Sequence, residues 1–232
     1  LDGAGMALLL ALAVLSVFGA SQLALVLVNL MTARLVRPQP LPRMDCGAGI
    51  PPDAQTLVVV PALLDSEEKI AALCAGMEVR YLANRDPQLR FCLLADGADA
   101  PRETMFEDAG LAEQARAAIA ALNARYGADA GADNSAPFLL LQRARSWSEG
   151  EGAWIGRERK RGALADLHAL LRGGTRTPFA VIEGATDNLG AVRYVILLDP
   201  ATQLPRDAAR ELVAAMAHPL NRPLLDASGS RV

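Results

Sequence analysis

The sequence predicts an α/β domain with a doubly wound, mostly parallel sheet covered by helices on both faces, preceded by one transmembrane helix. Three features carry this expectation. Apolar runs of strand character alternate with segments of helical spacing, the pattern of parallel strands joined by helical crossovers. The strand runs are continuously apolar rather than alternating, as strands buried on both faces are. Residues 6–31 contain no charged side chain, a run longer than the roughly 20 residues that cross a bilayer's hydrocarbon as helix.

In chain order, residues 1–33 form the expected membrane helix. The chain opens Leu-Asp without a basic leader and the apolar run is too long for a signal peptide, which favours a spanning helix. Residues 34–53 read as a linker, because Pro38, Pro40, Pro42, Gly47, Gly49, Pro51 and Pro52 interrupt any regular element. The globular part, residues 54–232, begins with a strand at 56–60 that Pro61 is expected to stop. Ser66 followed by Glu67 and Glu68 caps a helix carrying Ile70, Leu73, Met77 and Tyr81 at helical spacing. A second strand spans 89–94 and ends at Asp96-Gly97. An alanine-rich helix covers 103–126. A polar loop at 127–137 leads to a third strand at 138–142, a helix at 159–171 and a candidate short edge strand at 179–182. A fourth strand at 194–198 and a helix at 207–217 follow. Residues 226–232 close no recognisable element, so the chain reads as a piece of a longer polypeptide.

Arg34, Arg37 and Arg43 follow the apolar run against Asp2 before it, and this asymmetry places the globular part in the cytoplasm. The net charge of −3 offers no basic field for nucleic acid, which is not expected as a partner. Cys46, Cys74 and Cys92 lack metal-ligand spacing and read as reduced, buried thiols. No Gly-x-x-x-x-Gly-Lys-Ser/Thr and no Gly-x-Gly-x-x-Gly joins a strand to a helix, which argues against P-loop hydrolases and dinucleotide dehydrogenases. His168 and His218 show no ligand spacing. Trp147 and Trp154 flank a Gly- and Glu-rich loop that they are expected to anchor.

Open α/β sheets bind ligands beyond the carboxyl ends of their strands, so polar groups there are the candidates. Asp96 and Asp99 after the second strand are either acceptors for a nucleobase or ribose, or turn caps beside Gly97. Lys160 and Arg161, at the start of a helix in Arg157-Glu-Arg-Lys-Arg-Gly162, oppose the helix dipole. They either meet a bound anion such as a diphosphate, with Gly162 allowing close approach, or form a solvated charged face. Asp199 after the fourth strand is either a ligand for Mg²⁺ or Mn²⁺ or a turn residue before Pro200.

Four segments carry a family resemblance: Leu57-Val-Val-Val-Pro-Ala-Leu-Leu64, Glu78-Val-Arg-Tyr-Leu-Ala-Asn-Arg-Asp86, Trp154-Ile-Gly-Arg-Glu-Arg-Lys-Arg-Gly162 and residues 192–223. Of the last, Tyr194-Val-Ile-Leu-Leu-Asp-Pro-Ala-Thr-Gln-Leu-Pro-Arg206 is the most specific piece. Together they resemble the glucosyltransferase domain of bacterial cyclic β-1,2-glucan synthases. The resemblance implies the donor-binding part of a GT-A-like glycosyltransferase, truncated, in an inner-membrane protein. It implies UDP-glucose as donor, a glucan acceptor, inversion at the anomeric carbon, Mg²⁺ or Mn²⁺, and downstream domains of the same polypeptide. It also places Asp96 and Asp99 at nucleotide contacts, Lys160 and Arg161 in the basic motif, Asp199 at the first metal carboxylate and the catalytic base beyond Val232. The sequence departs from the family at Ala201, where a second carboxylate is usual, and in Ala95, Gly97 and Ala98 around Asp96. Two alternatives stand beside this reading: a degenerate, non-catalytic domain, because Ala201 replaces the second metal carboxylate, and a processive synthase of another β-glycan, because linkage is set by acceptor-side residues.

Overall fold

A computed structural model of the chain describes residues 3–36, 40–130, 136–174 and 178–221. Parts of the expected linker (37–39) and polar loop (131–135), and all of 222–232, lie outside the described residues. The chain divides into two compact units, Leu1–Leu41 and Pro42–Val232.

The first unit is the helix α1 (Gly3–Leu35). Its 31 residues from Gly5 to Leu35 are long and apolar enough to cross a membrane. Its leucines and valines are exposed, among them Leu15, Val17 and Phe18. At 1.5 Å per residue this span is about 46 Å, against a hydrocarbon core of about 30 Å. The helix is therefore compatible with membrane anchoring.

The second unit is α/β. Its main sheet contains β1 (Thr56–Leu64), β2 (Leu89–Gly97), β3 (Phe138–Arg143), β6 (Phe179–Glu183) and β7 (Tyr194–Leu197), in the order β6-β3-β2-β1-β7. All neighbouring pairs are parallel except β3 with β6, so the sheet is mixed and mostly parallel. The helices are α2 (Glu67–Ala83), α3 (Asp108–Tyr126), α4 (Arg159–Leu171) and α5 (Ala208–Ala217).

Alternation along each strand feeds two cores. Val58, Val60, Phe91 and Leu93 pack with Ile70, Met77, Ile119 and Val213, from α2, α3 and α5. Leu57, Val59, Cys92 and Leu94 pack with Ala163, Leu167 and Leu170 of α4. Helices thus cover both faces. Ser66 caps α2 as expected, its hydroxyl accepting from the Lys69 N–H at 3.3 Å.

Several boundaries differ from expectation for local reasons. β1 continues through Pro61 to Leu64, because its pairing with β7 ends at Val59↔Leu197 while β2 continues alongside. Past that point one edge of β1 needs no donor, which is where proline is tolerated in a strand. α3 starts at Asp108 rather than Glu103, and the Asp108 carboxylate accepts the Met105 N–H at 2.7 Å, holding the preceding residues in a turn. The Gly- and Glu-rich loop is a hairpin of β4 (Ser146–Ser148) and β5 (Ala153–Ile155), with Trp147 opposite Trp154 and ring centroids 6.1 Å apart.

The expected linker residues from 42 onward pack on the domain. Met44 N–H donates to the Ala214 carbonyl at 3.0 Å, Ile50 N–H donates to Asp86 Oδ2 at 2.9 Å, and Cys46 and Ile50 are buried. All three cysteines are free and buried. Burial pushes the Cys92 thiol up to about 12 and the Cys74 thiol to about 11, so both stay protonated and behave as small apolar residues.

Candidate donor-binding site

The strands β1, β2 and β3 add outward in one direction, and β7 then joins on the other side of β1. The order therefore reverses between β1 and β7, and the crevice at the carboxyl end of such a reversal is where open sheets bind ligands. A cavity of about 310 Å³ opens there, lined by Pro61 of β1, Asp96 of β2, Asp99, Arg159 and Lys160 of α4, and Pro200 after β7.

The fold brings four of the five expected site residues together. Asp96 and Asp99 line the cavity, Lys160 lines it from the first turn of α4, and the Lys160 ammonium is ion-paired with the Asp199 carboxylate. Arg161 is elsewhere: it is 77% exposed and pairs with Glu158 at 2.6 Å. Its neighbour Arg159 takes the place at the cavity, bound to Asp99 at 3.0 Å and Glu151 at 2.6 Å. Those two carboxylates hold the Arg159 guanidinium above its ordinary pKa.

Basic residues at the start of α4 conflict with the positive end of its dipole. Without a ligand, Asp99, Glu151, Asp199 and Glu158 resolve the conflict. The Lys160 and Asp199 side chains are 49% and 66% exposed, and an exposed pair of this kind contributes only about 0–1 kcal/mol. An incoming polyanion can replace the carboxylate at little cost.

Behind this charged rim lies a group that the apolar reading of the third strand stopped one residue short of. Arg143, the last residue of β3, has a side chain only 2% exposed. Its Nε and Nη2 donate to Asp96 Oδ1 and Oδ2 at 2.8 and 2.7 Å, and its Nη1 donates to Asp166 Oδ2 of α4 at 2.9 Å. Nη1 and Nη2 donate further to the carbonyls of Arg157 and Arg159, at 3.0 and 3.1 Å. All five N–H donors of the guanidinium are thereby used. Burial alone would lower its pKa, but the bonds from Asp96 and Asp166 outweigh burial and leave it raised. Removing one partner from a buried set of this kind costs about 3–5 kcal/mol, because a charge is left uncompensated.

The two carbonyls that Arg143 holds flank Glu158 and Arg159, whose φ values of 53° and 50° are left-handed. Such conformations cost on the order of 1–3 kcal/mol each in non-glycine residues and persist only where surroundings enforce them. Two glycines make room for the arrangement. A Cβ at Gly156 would lie 2.3 Å from Asp96 Oδ2, and one at Gly162 would lie 1.9 Å from the Arg157 carbonyl.

Arg145, two residues after Arg143, fixes the loop that carries Asp99. Its Nε donates to the Ala98 carbonyl at 2.6 Å and its Nη2 to Asp108 Oδ1 at 2.8 Å. Ala100 also pairs with Trp154 of the hairpin. This backbone bridge joins the Asp99 loop to the hairpin, whose own Gly- and Glu-rich turn is closed by the facing Trp147 and Trp154 rings. His218 has a capping role, its Nδ1 accepting from the Leu220 N–H at 3.2 Å.

The residues at Asp199 would hold a divalent ion only together with phosphate oxygens of a ligand and water. Among the described residues no group of three or more His, Cys, Asp or Glu side chains is placed to hold one. Asp199 offers one carboxylate, already neutralised by Lys160, and residue 201 is alanine. Mg²⁺ is usually held by one or two protein carboxylates, with substrate phosphate oxygens and water completing the shell.

The crevice defines an α/β protein with paired carboxylates and cations, Asp96, Asp99, Arg159 and Lys160, gathered at the carboxyl edge of its sheet. Comparison with known proteins narrows the class. The chain is 41% identical over 207 residues to the cyclic beta-(1,2)-glucan synthase NdvB of Rhizobium meliloti (strain 1021), an alignment covering 89% of this chain and 7% of that protein. The chain is the counterpart of one segment of that glycosyltransferase, in agreement with the family resemblance, and spans about 7% of its relative's length. No protein-family model matches the chain.

Proposed function

We propose that the chain is the donor-binding part of a membrane-anchored, GT-A-like glucosyltransferase that draws on UDP-glucose to extend a β-1,2-glucan. The observation that carries the reading is the cavity at the strand-order reversal, lined by Asp96, Asp99, Arg159 and Lys160. Asp96 and Asp99 accept hydrogen bonds from the uridine. Each carboxylate oxygen keeps a lone pair beyond those its arginine partner takes. Lys160 leaves Asp199 to meet the diphosphate, and Arg159 adds a second, planar cation.

In the transfer, an acceptor hydroxyl oxygen attacks the anomeric carbon as the bond from that carbon to the diphosphate oxygen breaks. Configuration inverts, UDP leaves with the electron pair, and the acceptor proton passes to a carboxylate base. By the family resemblance that base is expected beyond Val232, and Asp96 and Asp99 are both occupied by arginines. The negative charge developing on UDP falls to Lys160 and Arg159. Anchorage in an inner membrane with the domain in the cytoplasm fits α1 and the arginines after it.

One substitution tests the reading. Lys160→Ala should weaken UDP on the order of tenfold while changing uridine less than about twofold, because only UDP carries the charge that Lys160 meets. Arg161→Ala should change neither. Calorimetric titration of both ligands decides: equal losses for UDP and uridine, or a wild-type chain that does not bind UDP, would remove the reading. A second reading, a domain that binds nucleotide without catalysing transfer, is favoured by Ala201 alone.

A further inference from the structure

We infer that Arg143 is a positioning residue that ties Asp96 to the turn carrying Arg159 and Lys160, and that Asp166 is the anchor through which it sets those two cations. The inference rests on the donor-site reading above. Neither residue was singled out by sequence, and Asp166 does not line the cavity.

The geometry separates two jobs within one guanidinium. One edge, Nε with Nη2, grips both oxygens of Asp96 and fixes the carboxylate that faces the uridine. The remaining N–H groups hold Asp166 and the carbonyls of Arg157 and Arg159. Those carbonyls bracket the two left-handed residues immediately before Lys160. The strained turn decides where Arg159 and Lys160 point, and it is held by bonds from a rigid, buried plane. Asp166 sits two turns into α4 and orients the guanidinium from the side opposite Asp96. Without its charge the plane has one anchor instead of two. The cations would then lose their aim, while the bidentate grip on Asp96 persists.

This division predicts different signatures for two variants of the full chain in detergent micelles, titrated with UDP and with uridine. Asp166→Asn keeps the volume but removes the charge. It should weaken UDP on the order of tenfold and leave uridine within about twofold. Arg143→Lys removes the planar fork and should weaken both ligands by about tenfold or more, since both Asp96 and the turn before Lys160 lose their support. Asp166 also meets the Arg157 side chain at 3.1 Å, so Arg157→Gln is the control. That side chain is 60% exposed, and its loss should leave UDP within about twofold.

Thermal unfolding of each variant separates lost positioning from lost folding, and Asp166→Asn keeps the test decisive if Arg143→Lys does not fold. The inference is overturned if Asp166→Asn leaves UDP binding unchanged, if it weakens uridine as much as UDP, or if Arg157→Gln reproduces its effect. Wild-type binding with an unaffected Asp166→Asn removes this inference alone. A wild-type chain that binds neither ligand removes the parent reading as well.

Discussion

At residue 201 a methyl group stands where a carboxylate would complete a metal clamp, and the Lys160 ammonium lies on the one carboxylate that remains. These facts are linked by charge. A divalent ion at Asp199 would compete with Lys160 for the same oxygens and would gain no second protein ligand. On the proposed function, we assign the cation serving the diphosphate to the Lys160 side chain. Restoring the carboxylate should change that. Ala201→Asp places two hard ligands on one turn and should make UDP binding respond to Mn²⁺ on the order of tenfold, whereas the wild type should respond less than about twofold. Titrating UDP with Mn²⁺ and then with a chelator measures both. A wild type as metal-dependent as the variant would sink the assignment.

At the scale of elements, the apolar strands and the helical spacing of α2 and α4 were legible because burial on both sheet faces leaves an unbroken hydrophobic signal. The site was legible only where a residue's chemistry announced itself. Asp96, Asp99, Lys160 and Asp199 stand out at strand or helix ends, whereas Arg143 lies one residue past the strand read at 138–142 and carries no local signal. Its partners are 47 and 23 residues away, and no local spacing connects them. The β4–β5 hairpin escaped for a related reason: three-residue strands are too short for periodicity to show. The start of α3 was misplaced because propensity continues upstream, whereas the contact of Asp108 with Arg145 fixes the boundary.

That contact also makes the start of α3 sensitive to acid. The hydrogen bond from Arg145, with help from the Met105 N–H, holds the Asp108 carboxyl below its ordinary value of 3.8. A carboxyl depressed on folding contributes stability that is complete above its unfolded pKa and fades as pH falls through the folded one. The stability gap between wild type and Asp108→Asn should therefore be constant from about pH 7 to pH 5 and shrink below about pH 4. Urea midpoints at those values measure it. A gap that grows on acidification would show that the Arg145 contact does not stabilise the carboxylate.

At the scale of the molecule, the two units differ in what their apolar surface faces. Both cores consist of residues from position 50 onward, and none of their side chains comes from residues 1–41. α1 exposes its leucines along its length, a surface that water disfavours by about 25 cal/mol per Å² and that a bilayer accepts. Folding of the α/β unit should therefore be independent of the helix, and attachment should depend on it entirely. Removing residues 1–41 should leave a chain that stays in solution without detergent, unfolds in one cooperative transition and binds UDP within about twofold of the full chain. The full chain should float with liposomes on a density gradient, and the shortened one should remain at the bottom. A truncated protein that floats equally well would place the membrane contact in the α/β unit. One that fails to fold would mean that the helix contributes to a core the present contacts assign wholly to the sheet.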